Sequence, residues 1–379
     1  MKLIRVSLAL LALGGCSADA PPDWAGKDGK VEPAKLVKFT ETAKFTVRWH
    51  NDVADLGAEL LQPAVTKDAI YALSNTGVLT RLNRATGKQV WSIRSGITAS
   101  GGVGLGDGLV FIGGDKGDVL AYDEDGKLRW KGKVSSEVLN LSQVEEGMLI
   151  VRSGDGRITG LSVNSGKRVW MYERSTPALV VRSHAGVTIQ RGVAYAGFAA
   201  GKMAAINIKD GSILWETIVS QPRGNTELER ISDITSDPVV DDEQVCAIAF
   251  QGRVACFDLA QGSPMWNRDI SSDKGMMLLR KFLYLSDARG AVYSLEKTTG
   301  TTAWKNDQLS MRGVSTPFVL GNFVMVGDFE GYLHAMSRED GSFAARIKLE
   351  GGPVNTAPLE LDDGLLVQTR GDLYSLSLH

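Results

Sequence analysis

The chain has 379 residues, 43% of them hydrophobic, with 43 glycines and 8 tryptophans. Its 42 Lys and Arg against 44 Asp and Glu give a net charge of −2, which excludes the dense positive charge of a nucleic-acid binder or a polybasic membrane surface. Single cores stop growing at roughly 250–300 residues, so this length calls for several domains or for a repeating unit.

At the N-terminus Lys2 and Arg5 precede an apolar run over 6–13, the layout of a secretory leader and too short to span a bilayer. Removal of residues 1–15 takes away two cations and no acids and leaves a net charge of −4. The run ends in Leu13-Gly14-Gly15-Cys16, which resembles the bacterial lipobox. That resemblance implies a lipid on Cys16, and Ser17 after it implies sorting to the outer membrane. Residues 16–38, with Pro21, Pro22, Gly26, Gly29 and Pro33, read as a solvated tether that holds a domain at the membrane without spanning it.

Beyond the tether the pattern Gly-x-apolar-x-x-apolar begins at Gly77, Gly117, Gly156, Gly201, Gly252, Gly290, Gly331 and Gly371. A period of about 40 residues is that of an array of four-stranded sheets. Between the markers lie short β-branched or aromatic runs such as Ala69-Ile70-Tyr71-Ala72-Leu73 and Phe323-Val324-Met325-Val326, bounded by turn residues. No helical period is sustained. In the first unit, residues 68–74 form a strand, Asn75-Thr76-Gly77 turns the chain, 78–83 returns, and Ala85-Thr86-Gly87 turns it into 88–93. A four-stranded sheet has two apolar faces, and radial stacking buries both.

A second marker, Gly-x-x-x-Trp, runs from Gly87 to Trp91, Gly126 to Trp130, Gly166 to Trp170, Gly211 to Trp215, Gly262 to Trp266 and Gly300 to Trp304. Gly341 is followed by Ala345 instead, Trp49 precedes the first copy, and no tryptophan follows Gly371. The array is therefore cut out of phase: residues 353–379 supply three strands of the last blade, and a strand around Phe45 and Trp49 supplies the fourth. The expected fold is all-β, an eight-bladed propeller of four-stranded antiparallel blades over residues 39–379. The tryptophans are expected to dock blade on blade. Ten residues upstream of most copies lies a small residue (Gly160, Ala205, Cys256, Ser294, Ala335) that leaves room for the ring. Arg81 and Leu120 break that rule, which predicts looser or different packing at those junctions.

The period stretches to 45 and 51 residues after Gly156 and Gly201, against 38 to 41 elsewhere. The extra length falls in consecutive connections around 175–182 and 217–235, and long loops on a rigid ring are where recognition surfaces sit.

Other chemistry is sparse. His50, His184, His334 and His379 lack partners at metal-ligand spacing. The glycine run 101–106 fits neither dinucleotide nor P-loop spacing and reads as a narrow strand near the axis. Cys246 and Cys256 flank the Gln251-Gly252 hairpin, near cross-strand register, and both bonded and free states remain open.

The Gly-x-x-x-Trp repeats resemble the docking motif of propellers in the pyrroloquinoline quinone dehydrogenase superfamily. With the lipobox and this length, the chain is similar to the BamB family, the lipoprotein component of the outer-membrane β-barrel assembly (BAM) machinery. The segments Asn225-Thr226-Glu227-Leu228-Glu229-Arg230-Ile231-Ser232-Asp233 and Gly327-Asp328-Phe329-Glu330-Gly331-Tyr332-Leu333-His334 carry the resemblance more specifically than the repeats. It implies a non-enzymatic scaffold at the periplasmic face of the outer membrane. The implied partners are the POTRA domains of BamA and nascent β-barrel proteins. Exposed blade edges offer one physical means of holding extended substrate strands, by β-augmentation.

The family's Leu-x-Leu-Arg segment falls on Leu179-Val180-Val181-Arg182, and its Ser-Asp-x-Asp pattern falls on Ser232-Asp233-Ile234-Thr235. The resemblance thus gives Leu179, Val181, Arg182, Asp233 and Thr235 a role in holding BamA, with Val181 and Thr235 departing from the family residues. A quinone-dependent oxidoreductase is the alternative, since superfamily dehydrogenases bind the quinone and Ca²⁺ at the propeller axis. This chain is shorter than those enzymes and has no adjacent Cys-Cys pair, so no cofactor is expected. A propeller module with another partner is the remaining reading.

Overall fold

The computed structural model describes residues 32–53, 61–362 and 364–379. The leader 1–15, Cys16 and residues 17–31 of the expected tether lie outside the described residues. One body spans Ala34–His379.

The described residues form eight four-stranded antiparallel sheets, as the repeat requires. The first is built from Ala64–Val65, Ala69–Leu73, Val78–Asn83 and Gln89–Arg94, within about a residue of the expected strands. The closing sheet joins Leu359–Leu361, Gly364–Gln368 and Asp372–Leu378 to Phe45–Asp52. Phe45 stands opposite Leu378 and Asp52 opposite Asp372, so both ends of the described body meet in one ladder.

Position within a blade explains composition. Second strands such as Ala69–Leu73 and Gln244–Ile248 are buried along their whole length, because a neighbouring blade covers each face. Outer strands such as Gln89–Arg94 alternate between exposed and half-buried residues. Each core cluster spans a junction: Tyr71 and Leu73 of the first blade pack with Val110, Ile112 and Leu120 of the second. The glycine run lies in Ala99–Gly106, the innermost strand of the second blade, where a Cβ on Gly101 would stand 2.6 Å from the Val138 carbonyl of the next. A narrow strand near the axis is what was expected there.

The tryptophans follow one rule. Trp49, Trp91, Trp130, Trp170, Trp215, Trp266 and Trp304 each donate the indole N–H to a backbone carbonyl of the following blade: Arg84, Glu124, Val163, Ile208, Leu259, Lys297 and Arg338. Each ring also lies against the turn glycine of that blade; a Cβ on Gly166 would stand 2.3 Å from the Trp130 ring. Gly166 has φ +67, so both contact and backbone demand glycine.

The small-residue rule needs one correction. Trp130 pairs with Ala121, not Leu120, because the turn from Asp123 to Lys127 is one residue shorter than its counterparts. The second blade therefore obeys the rule. Arg81 does stand opposite Trp91, yet Trp91 makes the same bond to its neighbour at 3.0 Å, so this docking bond is retained where looser or different packing was expected.

Ala345 now has a reason. A tryptophan there would need the turn between the third and fourth strands of the closing blade, and those strands, Asp372–Leu378 and Phe45–Asp52, are not consecutive in the chain. The incoming segment takes the space instead: Thr42 and Ala43 both donate backbone N–H groups to the Ala344 carbonyl, and Ala43 and Phe45 pack with Ala344 and Ala345.

The tether boundary at residue 38 is likewise corrected. Leu36, Val37 and Phe39 pack into the core between the sixth and seventh blades, so the body begins at Ala34.

Cys246 and Cys256 form a disulfide. They stand directly opposite on neighbouring strands of the fifth blade, both completely buried.

Candidate functional site

Two long inter-blade connections, residues 173–186 and 219–238, stand side by side, the first joining the third blade to the fourth and the second the fourth to the fifth. Neither contains a regular strand, so their shape depends on side chains. In the second, Thr226 and Glu229 form a capping box: the Glu229 carboxylate accepts the N–H groups of Asn225 at 2.8 Å and Thr226 at 3.1 Å, and the Thr226 hydroxyl accepts the N–H of Glu229 at 3.2 Å. Those N–H groups hold the Glu229 pKa below its ordinary value. The turn presents Leu228, 67% exposed.

Asp233 ties the two connections together. One carboxylate oxygen accepts the N–H of Val181 at 2.7 Å, and the other accepts that of Ala200 at 2.9 Å. Gly186 donates its N–H to the Asp237 carboxylate, and the Thr188 hydroxyl donates to the Pro238 carbonyl at 2.5 Å. Beneath them Arg152 is buried, donating to the Gly197 carbonyl at 2.6 Å with its guanidinium 5.7 Å from the Phe198 ring centroid. Burial pulls the Arg152 pKa down to about 10 against the opposing pull of Asp237 and Asp233. Asp237 is exposed to solvent where it lines the axial cavity, yet the surrounding blades desolvate it enough to push its pKa up despite the Gly186 bond and Arg152.

The expected partner-binding residues separate into two groups. Leu179 is exposed, and Arg182 carries an exposed guanidinium that Glu137 grips with two bonds of 3.2 Å. Val181 is half-buried with its backbone held by Asp233, and its neighbour Val180 is the exposed valine. Asp233 and Thr235 are buried, Asp233 under the connections and Thr235 against the axial cavity. Sequence reasoning missed Glu137, Val180, Arg152 and Asp237; the Thr226-x-x-Glu229 spacing was the one readable signal for the local turn.

The axial cavity, about 740 Å³, is lined by all eight blades, from Gln62 and Gly102 round to Asn355. Its charged side chains include Asp237, Asp273 and Lys274. Among the described residues no group of three His, Cys, Asp or Glu side chains is placed to hold a metal ion, and no helix is long and apolar enough to cross a membrane.

Comparison with known proteins places this architecture. A crystal structure of BamB from Moraxella catarrhalis superposes with a TM-score of 0.81 at 26% identity, covering 88% of this chain and all of that one. Quinohemoprotein alcohol dehydrogenase from Comamonas testosteroni shares the fold alone, with a TM-score of 0.72 at 14% identity over 88% of this chain and 76% of that one. The outer membrane protein assembly factor BamB of Nitrosomonas eutropha is 39% identical over 92% of this chain and 86% of its own length. Residues 75–306 match the family profile described as outer membrane protein assembly factor BamB, and the chain belongs to that family.

Proposed function

We propose that this chain is a non-enzymatic scaffold lipoprotein of the outer-membrane β-barrel assembly machinery, held at the periplasmic face of the outer membrane through Cys16 and binding the POTRA domains of BamA through residues 173–186 and 219–238. The observation that carries the site is the pair of connections pinned by Asp233, which between them expose Leu179, Val180 and the Arg182 guanidinium on one connection and Leu228 on the other. A small apolar centre with an arginine beside it is the composition of an interface whose few anchors dominate affinity.

Leu179, Val180 and Arg182 make the contacts in this reading, with Glu137 presetting the Arg182 fork for a carboxylate or backbone carbonyl of the partner. Val181 and Asp233 position them. Thr235, turned to the axis, is left without a contact role. Nascent barrel segments would add to outer strands, whose exposed faces carry Val90, Val169, Leu214, Ile218 and Met265.

The residues lining the axis do not fit a quinone and Ca²⁺ pair, because the cavity lacks a clustered carboxylate donor set among the described residues, and the disulfide lies inside the fifth blade. The test is a pull-down of purified POTRA domains. Arg182→Glu should reduce capture at least tenfold with an unchanged melting temperature; full retention would count against the assignment.

A further inference from the structure

Blade seven holds a charged network that the proposed interface does not use. Asp328 and His334 are completely buried and Arg312 nearly so. The Arg312 Nε donates to Asp328 Oδ2 at 2.8 Å, and Glu330 pairs with the same guanidinium. Arg346 Nε donates to His334 Nδ1 at 3.0 Å, which leaves the proton on Nε2 to bond Asp328 Oδ2 at 3.0 Å. Burying such a network stabilises a fold weakly at best, so its outward-facing groups are informative. Both arginines end on residues 34–39.

Arg312 Nη1 donates to the Ala34 carbonyl at 3.0 Å, and Arg346 Nη1 to the Val37 carbonyl at 3.0 Å. The Arg346 guanidinium lies 4.9 Å from the Phe39 ring centroid, and Phe39 stacks on Phe343 at 5.4 Å. Ala34 also donates its N–H to the Ser310 carbonyl at 2.8 Å. Ser310 and Arg312 belong to the connection between blades six and seven. Because every blade has an even number of antiparallel strands, all such connections lie on one face of the ring. Ala34 therefore emerges on the face that carries 173–186 and 219–238.

We infer that the Arg312, Asp328, His334 and Arg346 network is a receptor for the chain's own residues 34–39, docking them as a strap so that a membrane holding the N-terminus faces the side of the ring with the two long connections. The membrane-facing part rests on the reading that Cys16 is lipid-held. Residues 17–33, fully extended at roughly 3.5 Å each, reach about 60 Å, which sets the greatest gap between bilayer and ring.

The experiment uses the full lipidated chain in phosphatidylethanolamine and phosphatidylglycerol vesicles, with a donor dye at Leu228→Cys or, on the opposite face, at Lys209→Cys, and a headgroup acceptor. Transfer should be at least twofold greater from position 228, and the Leu36→Ser, Phe39→Ser double variant should abolish the difference. In detergent, trypsin should cleave after Lys35 and Lys38 at least tenfold faster in the double variant than in the wild type. Equal transfer from both positions in the wild type overturns the orientation, and equal cleavage rates overturn the strap. Protein that fails to float with the vesicles overturns the anchoring reading and the orientation with it, while the trypsin rates still decide the strap.

Discussion

The Asp233 carboxylate accepts the backbone N–H of Val181 at 2.7 Å across 52 residues of sequence, joining two connections that share no strand pairing. Its second oxygen holds Ala200. Asp233→Ala leaves two N–H groups without their acceptor, at a cost of about 1–3 kcal/mol each where water cannot replace it. Hydrogen exchange over 173–186 should accelerate at least tenfold, and POTRA capture should fall although Leu179 and Arg182 are intact. Asp233→Asn, which keeps one acceptor oxygen, should show an intermediate effect in both measurements.

The missing tryptophan gives a second expectation. Trp304→Ala removes a ring docked on Gly341 and should destabilise by about 3–5 kcal/mol. Ala345→Trp, which restores the repeat pattern, should also destabilise, by about 1–3 kcal/mol, because Ala43 and Phe45 already fill the space. Chemical denaturation of both variants checks the pair; a stabilised Ala345→Trp would refute the account of blade closure.

Acid should act through His334. Burial lowers its pKa below 6.5 despite the bond to Asp328 and its charge, with Arg346 and Arg312 adding to the depression. The unfolded chain takes up a proton as pH drops below about 6.5 while the folded one does not, so stability falls with pH from there to the folded pKa, by at most about 1.4 kcal/mol per pH unit. Burial raises the Asp328 pKa, but bonds from His334, Tyr332 and Arg312 outweigh it, so its contribution is lost only as pH falls below 3.8. Asp237, with a raised pKa, acts with the opposite sign above 3.8. Urea midpoints of wild type and His334→Gln between pH 7 and 5 isolate the histidine: the variant should lack that part of the slope.

The disulfide closes a hairpin with a sequence separation of 10, for which chain entropy gives about 2–3 kcal/mol. The Cys246→Ala, Cys256→Ala double variant should lose that amount in urea denaturation. Since both cysteines are buried, reductant alone should leave the native protein closed to maleimide, and labelling should require denaturant.

The ring was readable because its signals are local. Turn glycines such as Gly166 are dictated within one hairpin, and the tryptophan four residues later marks the phase, so the blade count and the split blade followed from spacing. Direction and long-range pairing were not local. The sequence pattern supplied an aspartate at 233 but could not say that it points inward, nor that Arg182 meets Glu137 from another blade. Residues 34–38 read as tether because Lys35, Lys38 and Pro33 look solvated, and contacts with the sixth and seventh blades, Arg312 and Arg346 some 300 residues away among them, make them part of the body. The Leu120 misassignment came from a single residue missing in a turn, which shifts the partner of Trp130 by one position.

The split blade also orders events in time. His50 and its partner Asp372 are separated by 322 residues, so the strand made first waits unpaired through almost the whole of synthesis for the strand made last. Until then the growing array is an open arc with an apolar flank at each end. Any delay in the arrival of the last strand therefore prolongs exposure of the earliest residues.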